Sequence, residues 1–318
     1  MYKIEELRAK IDQQLLNAYK NREPKGLYEP IDYVLSDGGK RIRPVLCLMA
    51  CNIFNEDVQA AIKPAIGLET FHNFTLLHDD IMDNADVRRG KTTVHKKWNE
   101  NTAILSGDAM MIEAYEQFFA LSPKILAEVL PVFNRTALEV CEGQQYDVDF
   151  EKILEITEEE YLNMIRLKTA VLLASALQIG ATIGGASKAS AQKMYDFGIA
   201  MGLAFQLQDD YLDTFGDEAT FGKKIGGDII ENKKTLLLIR AIALNKKEIL
   251  PLLSEKNESK KIQEITAIYK KLALDKFILE KIDNYYQEAV EILASLSVEE
   301  EKKLPLAAFL FQLKTRIH

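Results

Sequence analysis

The amino-acid sequence predicts an all-α protein built as a single domain. Three observations carry that expectation. Apolar residues recur at steps of three and four along nearly the whole chain, which is the period of one helix face. No run of alternating β-branched residues reads as a strand. Only 8 prolines and 16 glycines punctuate 318 residues, and no linker rich in Pro, Gly or Ser divides them. With helices averaging about 11–12 residues, roughly ten or more are expected.

The elements follow in order. The N-terminal MYKIEELRAKIDQQL puts Ile4, Leu7, Ile11 and Leu15 on one stripe, so it is expected to form an amphipathic helix rather than a signal peptide. Breaks at Glu23–Gly26 and Ser36–Gly39 bound a second helix, and GGKRIRP, Gly38 to Pro44, sets cations after a Gly-Gly turn. A long helix is predicted over roughly Ala60 to Asp83, with the next breaks at Ser122–Pro123 and Gly184–Ser187. Between those two lies the most apolar stretch, Ala170 to Ala186, interrupted by Gln178 and three glycines. It is slightly too short to span a bilayer and reads as a buried core helix. Gly198 and Gly202, four apart, should let the following helix pack close to a neighbour. Breaks at Gly216–Gly227 and Leu250–Glu255 close the series.

Composition narrows the function. Apolar residues make up 47% and charged residues 28%, ordinary values for a globular protein without a membrane span. A formal charge of −8 argues against general nucleic-acid binding, which needs a basic surface. It leaves room for a small anion held by a local basic cluster. Cys47, Cys51 and Cys141 form no CxxC or His/Cys array, so reduced thiols and a cytoplasmic setting are expected.

The chemistry lies in the charges. LLHDDIMDNADVRRG places Asp79, Asp80 and Asp83 at the end of the long helix, followed by Arg88 and Arg89. Steps of three or four link His72, Leu76, Asp79 and Asp83 on one stripe. Like charges four apart weaken a helix unless something neutralises them. A solvated acidic face is the plain alternative, but FQLQDDYLD repeats the spacing with Asp209, Asp210 and Asp213, and Gln206 precedes them by three. Two such helices facing each other would form a cage of carboxylate oxygens suited to Mg²⁺. Zn²⁺ is disfavoured because no His/Cys set accompanies the aspartates. Cations complete the pattern: Lys40, Arg41 and Arg43; Lys168 beside Thr169; and Lys223, Lys224, Lys233 and Lys234. Arginine forks and lysine point charges are what diphosphate oxygens require.

These motifs, taken with GDAMM and GQQYD (Gly143 to Asp147), occur in an order that resembles the trans-prenyl diphosphate synthases, the family of farnesyl and geranylgeranyl diphosphate synthases. The resemblance runs over most of the chain. It implies a bundle of long helices around a central cavity, spanning residues 1–318 as one polyprenyl synthase domain. It implies Mg²⁺, three ions in the closed complex, held by Asp79, Asp80, Asp83, Asp209, Asp210 and Asp213. Arg88, Lys168, Thr169, Gln206, Lys223 and Lys233 would hold an allylic diphosphate, dimethylallyl or geranyl. Lys168 would also act in catalysis with the aspartates. Lys40, Arg43, His72 and Arg89 would hold isopentenyl diphosphate. Lys224 could take the place of Lys223, and His72 could be a satisfied core histidine. The family also implies a homodimer.

Bulky residues four and five positions before the first aspartate floor the product tunnel in this family. Here they are Thr75 and Phe74, with Phe71 one turn deeper. The ring at Phe74 implies a short product, farnesyl diphosphate (C15), with geranylgeranyl diphosphate (C20) or a longer chain as the alternative. DDIMD lacks the two-residue insertion of short-chain bacterial members, so their length rule does not transfer directly. A class I terpene cyclase, a head-to-head synthase of the squalene type and a non-catalytic partner subunit are the rival readings. All six aspartates and the Lys40/Arg43/Arg89 set argue against them.

Overall fold

Helix starts and stops follow local chemistry through the chain, and 78% of it is helical, so the all-α expectation holds. The structure is a computed structural model that describes residues 1–16, 18–36, 39–216 and 225–315. The chain divides into two compact units. The first comprises Met1–Phe133, Ala176–Gln192 and Val298–Pro305; the second comprises Asn134–Ser175, Lys193–Ser297 and Leu306–His318.

In the first unit, α1 (Ile4–Leu15) opens with the Glu6 carboxylate accepting the Lys3 N–H at 2.8 Å, and it buries the stripe Leu7, Ile11 and Leu15. Next come α2 (Lys25–Leu35) and α3 (Ile42–Phe54), which is buried along almost its whole length. The predicted long helix is α4 (Gln59–Met82), with Asp83 as its C-cap. A two-residue hairpin follows, β1 (Val87–Arg88) paired antiparallel with β2 (Lys91–Thr92). Arg89 (φ 52°) and Gly90 (φ 78°) form its loop. Two central residues with positive φ are what a type I′ turn requires. The hairpin is absent from the sequence expectation because two-residue strands leave no alternation to detect. A short α5 (Val94–Lys97) leads to α6 (Glu100–Phe118), whose first turn is capped by the Asn99 side chain accepting the Thr102 N–H at 2.8 Å. α4 packs mainly on α6 and α3. Gly67 allows this, because a Cβ there would lie 2.7 Å from the Ala114 carbonyl. α7 (Pro123–Glu151) starts at proline, whose missing N–H costs nothing in a first turn.

One cation of GGKRIRP is structural. Arg41 is 3% exposed and donates to Glu69 at 2.8 Å, Asp12 at 3.1 Å and the Leu35 carbonyl at 2.5 Å. It fixes the start of α3 onto α4.

In the second unit, α8 (Glu158–Ile165) is held by a capping box between Thr157 and Glu160. It runs without a break into a π-helical segment, Arg166–Ala170, and then α9 (Val171–Ile183). The helical run is therefore longer than the apolar stretch alone suggested. Glu158–Ile183 is long and apolar enough to cross a membrane by length and composition, yet 78% of its apolar window is buried within the protein. That agrees with a core helix. α10 (Lys188–Phe215) packs against this run as expected, since a Cβ on Gly202 would lie 2.6 Å from the Ala170 Cα. The remaining helices are α11 (Gly227–Ile230), α12 (Leu236–Leu252, kinked at Asn245), α13 (Glu258–Lys271), α14 (Leu274–Ala294) and α15 (Glu300–Lys314).

Candidate active site

Each unit carries half of the charged machinery. In the first, Asp79 and Asp80 sit in the last turn of α4 and Asp83 closes it, its N–H bonded to the Asp79 carbonyl at 2.9 Å. The hairpin folds Arg88 back over this turn. Its Nε donates to Asp80 at 2.5 Å and its Nη2 to Asp79 at 3.3 Å. Burial raises the Asp80 carboxyl above its ordinary value, and the bond to Arg88 opposes the rise. The guanidinium is the counter-charge that the paired aspartates call for.

A second cationic group surrounds His72, about two turns earlier on α4. Arg43 lies 3.1 Å from the His72 Nε2, and the Arg89 guanidinium rests over Gly39. His72 keeps some exposure, but the protein packed around it, followed by Arg43, Arg89, Arg88 and Arg41, pushes its imidazole well below the usual histidine range. It is neutral, and able to accept or donate a proton within a hydrogen bond. Burial lowers Arg43 to about 10, with Glu69 opposing and Arg89 adding to the effect. The Arg43 Nε, buried, has no hydrogen-bond partner. This is a concentration of positive charge in need of an anion. Lys40 is exposed close by in sequence. Three of the four residues expected to bind isopentenyl diphosphate are thus brought together.

Below them on α4, Phe71 and Phe74 are buried and Thr75 is half-buried, its hydroxyl donating to the His72 carbonyl at 2.8 Å. Phe74 lies in an aromatic row, 5.5 Å from Phe71 and 4.8 Å from His78 between ring centres, with Phe133 5.4 Å beyond Phe71.

In the second unit, the π-helical segment presents Lys168 and Thr169 in different directions. Lys168 Nζ donates to Asp147 at 2.5 Å, and Thr169 donates to the Gln206 Oε1 at 3.1 Å. Gln206 Nε2 donates to Asp210 at 3.1 Å, and Asp210 also accepts a short hydrogen bond from the Tyr161 hydroxyl. Asp213 accepts the Asp228 N–H at 3.0 Å, and Lys233 stands 3.7 Å from the Asp228 carboxylate. Burial and then the charge of Asp228 push Asp213 up to about 6, and the same two causes raise Asp210. Lys223 and its alternative Lys224 lie outside the described residues. Sequence reasoning gave no role to Asp147, Asp228 or Tyr161. Asp147 and Asp228 at least lay inside motifs, GQQYD and GGDIIENKK; Tyr161 gave no signal.

Residues 24–272 match the polyprenyl synthetase family. The chain belongs to that family. It is 41% identical over 220 residues to a geranylgeranyl diphosphate synthase of Methanosarcina mazei, covering 69% of this chain and 68% of the relative. It is 40% identical over 267 residues to a short chain isoprenyl diphosphate synthase of Methanocaldococcus jannaschii, covering 82% and 81%. Among solved structures, a geranylgeranyl pyrophosphate synthase superposes with a TM-score of 0.94 at 46% identity over 100% of both chains. The protein is a prenyltransferase of the short-chain group with the all-α isoprenoid synthase fold.

Among the described residues no three metal-binding side chains stand gathered around one point. The donor set nevertheless suits Mg²⁺. It is all carboxylate oxygen, and the raised Asp80 and Asp213 mark buried negative charge that a hard cation would relieve.

Proposed function

We propose that the protein condenses isopentenyl diphosphate head-to-tail with an allylic diphosphate and releases geranylgeranyl diphosphate, the C20 product. The observation that carries this reading is the 46% identity, over the full length, to a geranylgeranyl pyrophosphate synthase. It displaces the C15 product suggested by the ring at Phe74, because the named relatives favour C20.

In this reading Asp79, Asp80, Asp83, Asp209 and Asp213 hold Mg²⁺; Asp210, expected in the same role, has its two carboxylate oxygens engaged by Tyr161 and Gln206. Bound Mg²⁺ would offset the charge of the allylic diphosphate. Arg88, Lys168 and Lys233 bind that diphosphate, together with Lys223. As its C–O bond breaks, their fixed positive charge stabilises the oxygens that take up the electrons. Thr169 and Gln206, hydrogen-bonded to each other at 3.1 Å, complete the set that holds the allylic diphosphate. Arg43, Arg89 and Lys40 hold isopentenyl diphosphate, with neutral His72 as a hydrogen-bonding partner. The isopentenyl double bond attacks the allylic carbon, a new C–C bond forms, and the proton lost passes to the departing pyrophosphate. No side-chain nucleophile takes part. Water must be excluded, or the cation is captured as an alcohol.

A second copy of the chain is the expected partner. Leu105 and Ile112 of α6 and Phe119 at its C-cap recur every seven residues and are 60%, 60% and 63% exposed, an apolar stripe suited to a matching helix.

The test is incubation of the purified protein with isopentenyl and dimethylallyl diphosphates in Mg²⁺, with products identified by mass spectrometry. C20 should dominate at completion. A terminal C15 product would reject the chain-length assignment, and failure to extend any primer would reject prenyl transfer.

A further inference from the structure

We propose that Tyr161 is a positioning residue for prenyl transfer: with Gln206 it clamps Asp210 as the internal anchor of the second acidic helix, so that Asp210 orients α10 and leaves metal binding to Asp209 and Asp213. The proposal rests on the prenyl-transfer reading above and assigns a division of labour within one motif.

The geometry separates the three aspartates. Asp209 and Asp213 are four residues apart and share one face of α10, while Asp210 is turned about 100° from Asp209. Asp210 is 3% exposed, and so is Tyr161. One carboxylate oxygen of Asp210 accepts from the Tyr161 hydroxyl and the other from Gln206 Nε2 at 3.1 Å. Gln206 in turn accepts from Thr169 at 3.1 Å. One continuous chain therefore runs from α8 through Asp210 and Gln206 to the π-helical segment, joining residues 49 and 37 apart in sequence. The first motif differs. Its buried aspartate, Asp80, is bonded to Arg88, whose side chain is 33% exposed and can swing to an arriving phosphate. A sealed phenol has no such freedom, because leaving Asp210 would strand a buried donor and a buried charge. Tyr161 and Asp210 therefore act as one fixed unit that sets the rotation of α10.

Four variants test this: Tyr161→Phe, Asp210→Asn, the double mutant, and Asp209→Asn for comparison. Tyr161→Phe keeps the ring and removes only the hydroxyl. It should lower kcat about tenfold or more, the scale of one hydrogen bond to a charged group, with the KM for isopentenyl diphosphate unchanged. The double mutant should be no worse than the weaker of its two parents, since both break the same unit. The Mg²⁺ concentration for half-maximal rate should rise strongly in Asp209→Asn and little in Asp210→Asn. Wild-type kcat in Tyr161→Phe, fully additive losses in the double mutant, or equal rises in the Mg²⁺ requirement of Asp209→Asn and Asp210→Asn would each overturn the proposal while leaving prenyl transfer intact. An inactive wild type overturns both.

Discussion

At the scale of single residues, His72 shows how surroundings decide chemistry. Its place on the Asp79/Asp83 stripe marks it in the sequence, and that stripe does not reveal the four arginines that influence it. Because its folded value lies well below the usual histidine 6.5, below that pH the imidazole of His72 takes up a proton in the unfolded chain that it refuses in the folded one. Stability therefore falls as pH drops below 6.5, towards the folded value, and is unaffected above it. His72→Gln should flatten that loss. Urea midpoints measured at about pH 7.5 and about pH 5 should differ less in the variant than in wild type, by the share of one proton. Equal differences would mean that His72 is protonated in the native state. Other site residues were silent in the sequence because their partners are remote. Asp228 meets Asp213 from 15 residues away, and Tyr161 reaches Asp210 from 49. The aspartate motifs were legible because their information lies within one helix turn.

At the scale of elements, the π-helical segment Arg166–Ala170 is the feature that periodicity missed. A single wide turn shifts the apolar pattern by a fraction of a step, too little to see in five residues, and such turns gather at functional sites. Its seat is readable in the structure. Gly143 of GQQYD lies under the segment, where a Cβ would meet the Lys168 backbone and fall 2.7 Å from the Leu167 carbonyl carbon. Asp147, one turn further along α7, then catches the Lys168 ammonium. Gly143→Ala should cost roughly 1–3 kcal/mol by overpacking and should displace Lys168. The expected signature is a raised KM for the allylic diphosphate beyond what the fall in thermal midpoint explains. A variant with normal kinetics would show that α7 yields to the methyl group and that the seat is not needed.

At the scale of the whole molecule, the all-α architecture was legible because nearly every helix carries its own 3.6-residue pattern and its own punctuation. Pro123 starts α7, and Gly184 to Ser187 separates α9 from α10. Product length was not legible. The spacing of Phe74 from Asp79 lies within one helix, whereas the rings packed around it include Phe133 from another helix, which that spacing does not report. Packed between Phe71 and His78 and 8% exposed, Phe74 belongs to an aromatic row that also stabilises the first unit. Phe74→Ala separates the two roles. If the ring limits growth, mass spectrometry with excess isopentenyl diphosphate should show products at least one C5 unit beyond wild type, with activity largely kept. If it only packs, the cavity should cost about 3–5 kcal/mol and leave the distribution unchanged.

The hairpin that carries Arg89 holds a compromise between two demands on one position. A left-handed backbone at φ 52° suits asparagine, and Asn-Gly is the favoured pair for a type I′ turn. The chain keeps arginine there instead, against the preference of its own backbone. Local conformation favours asparagine at this position, whereas the isopentenyl diphosphate role proposed for it favours arginine. Arg89→Asn should release the conflict, raising the thermal midpoint by a degree or more while weakening isopentenyl diphosphate use, a trade of activity for stability. A midpoint that stayed fixed or fell would mean that the guanidinium over Gly39 holds the fold as well as the substrate.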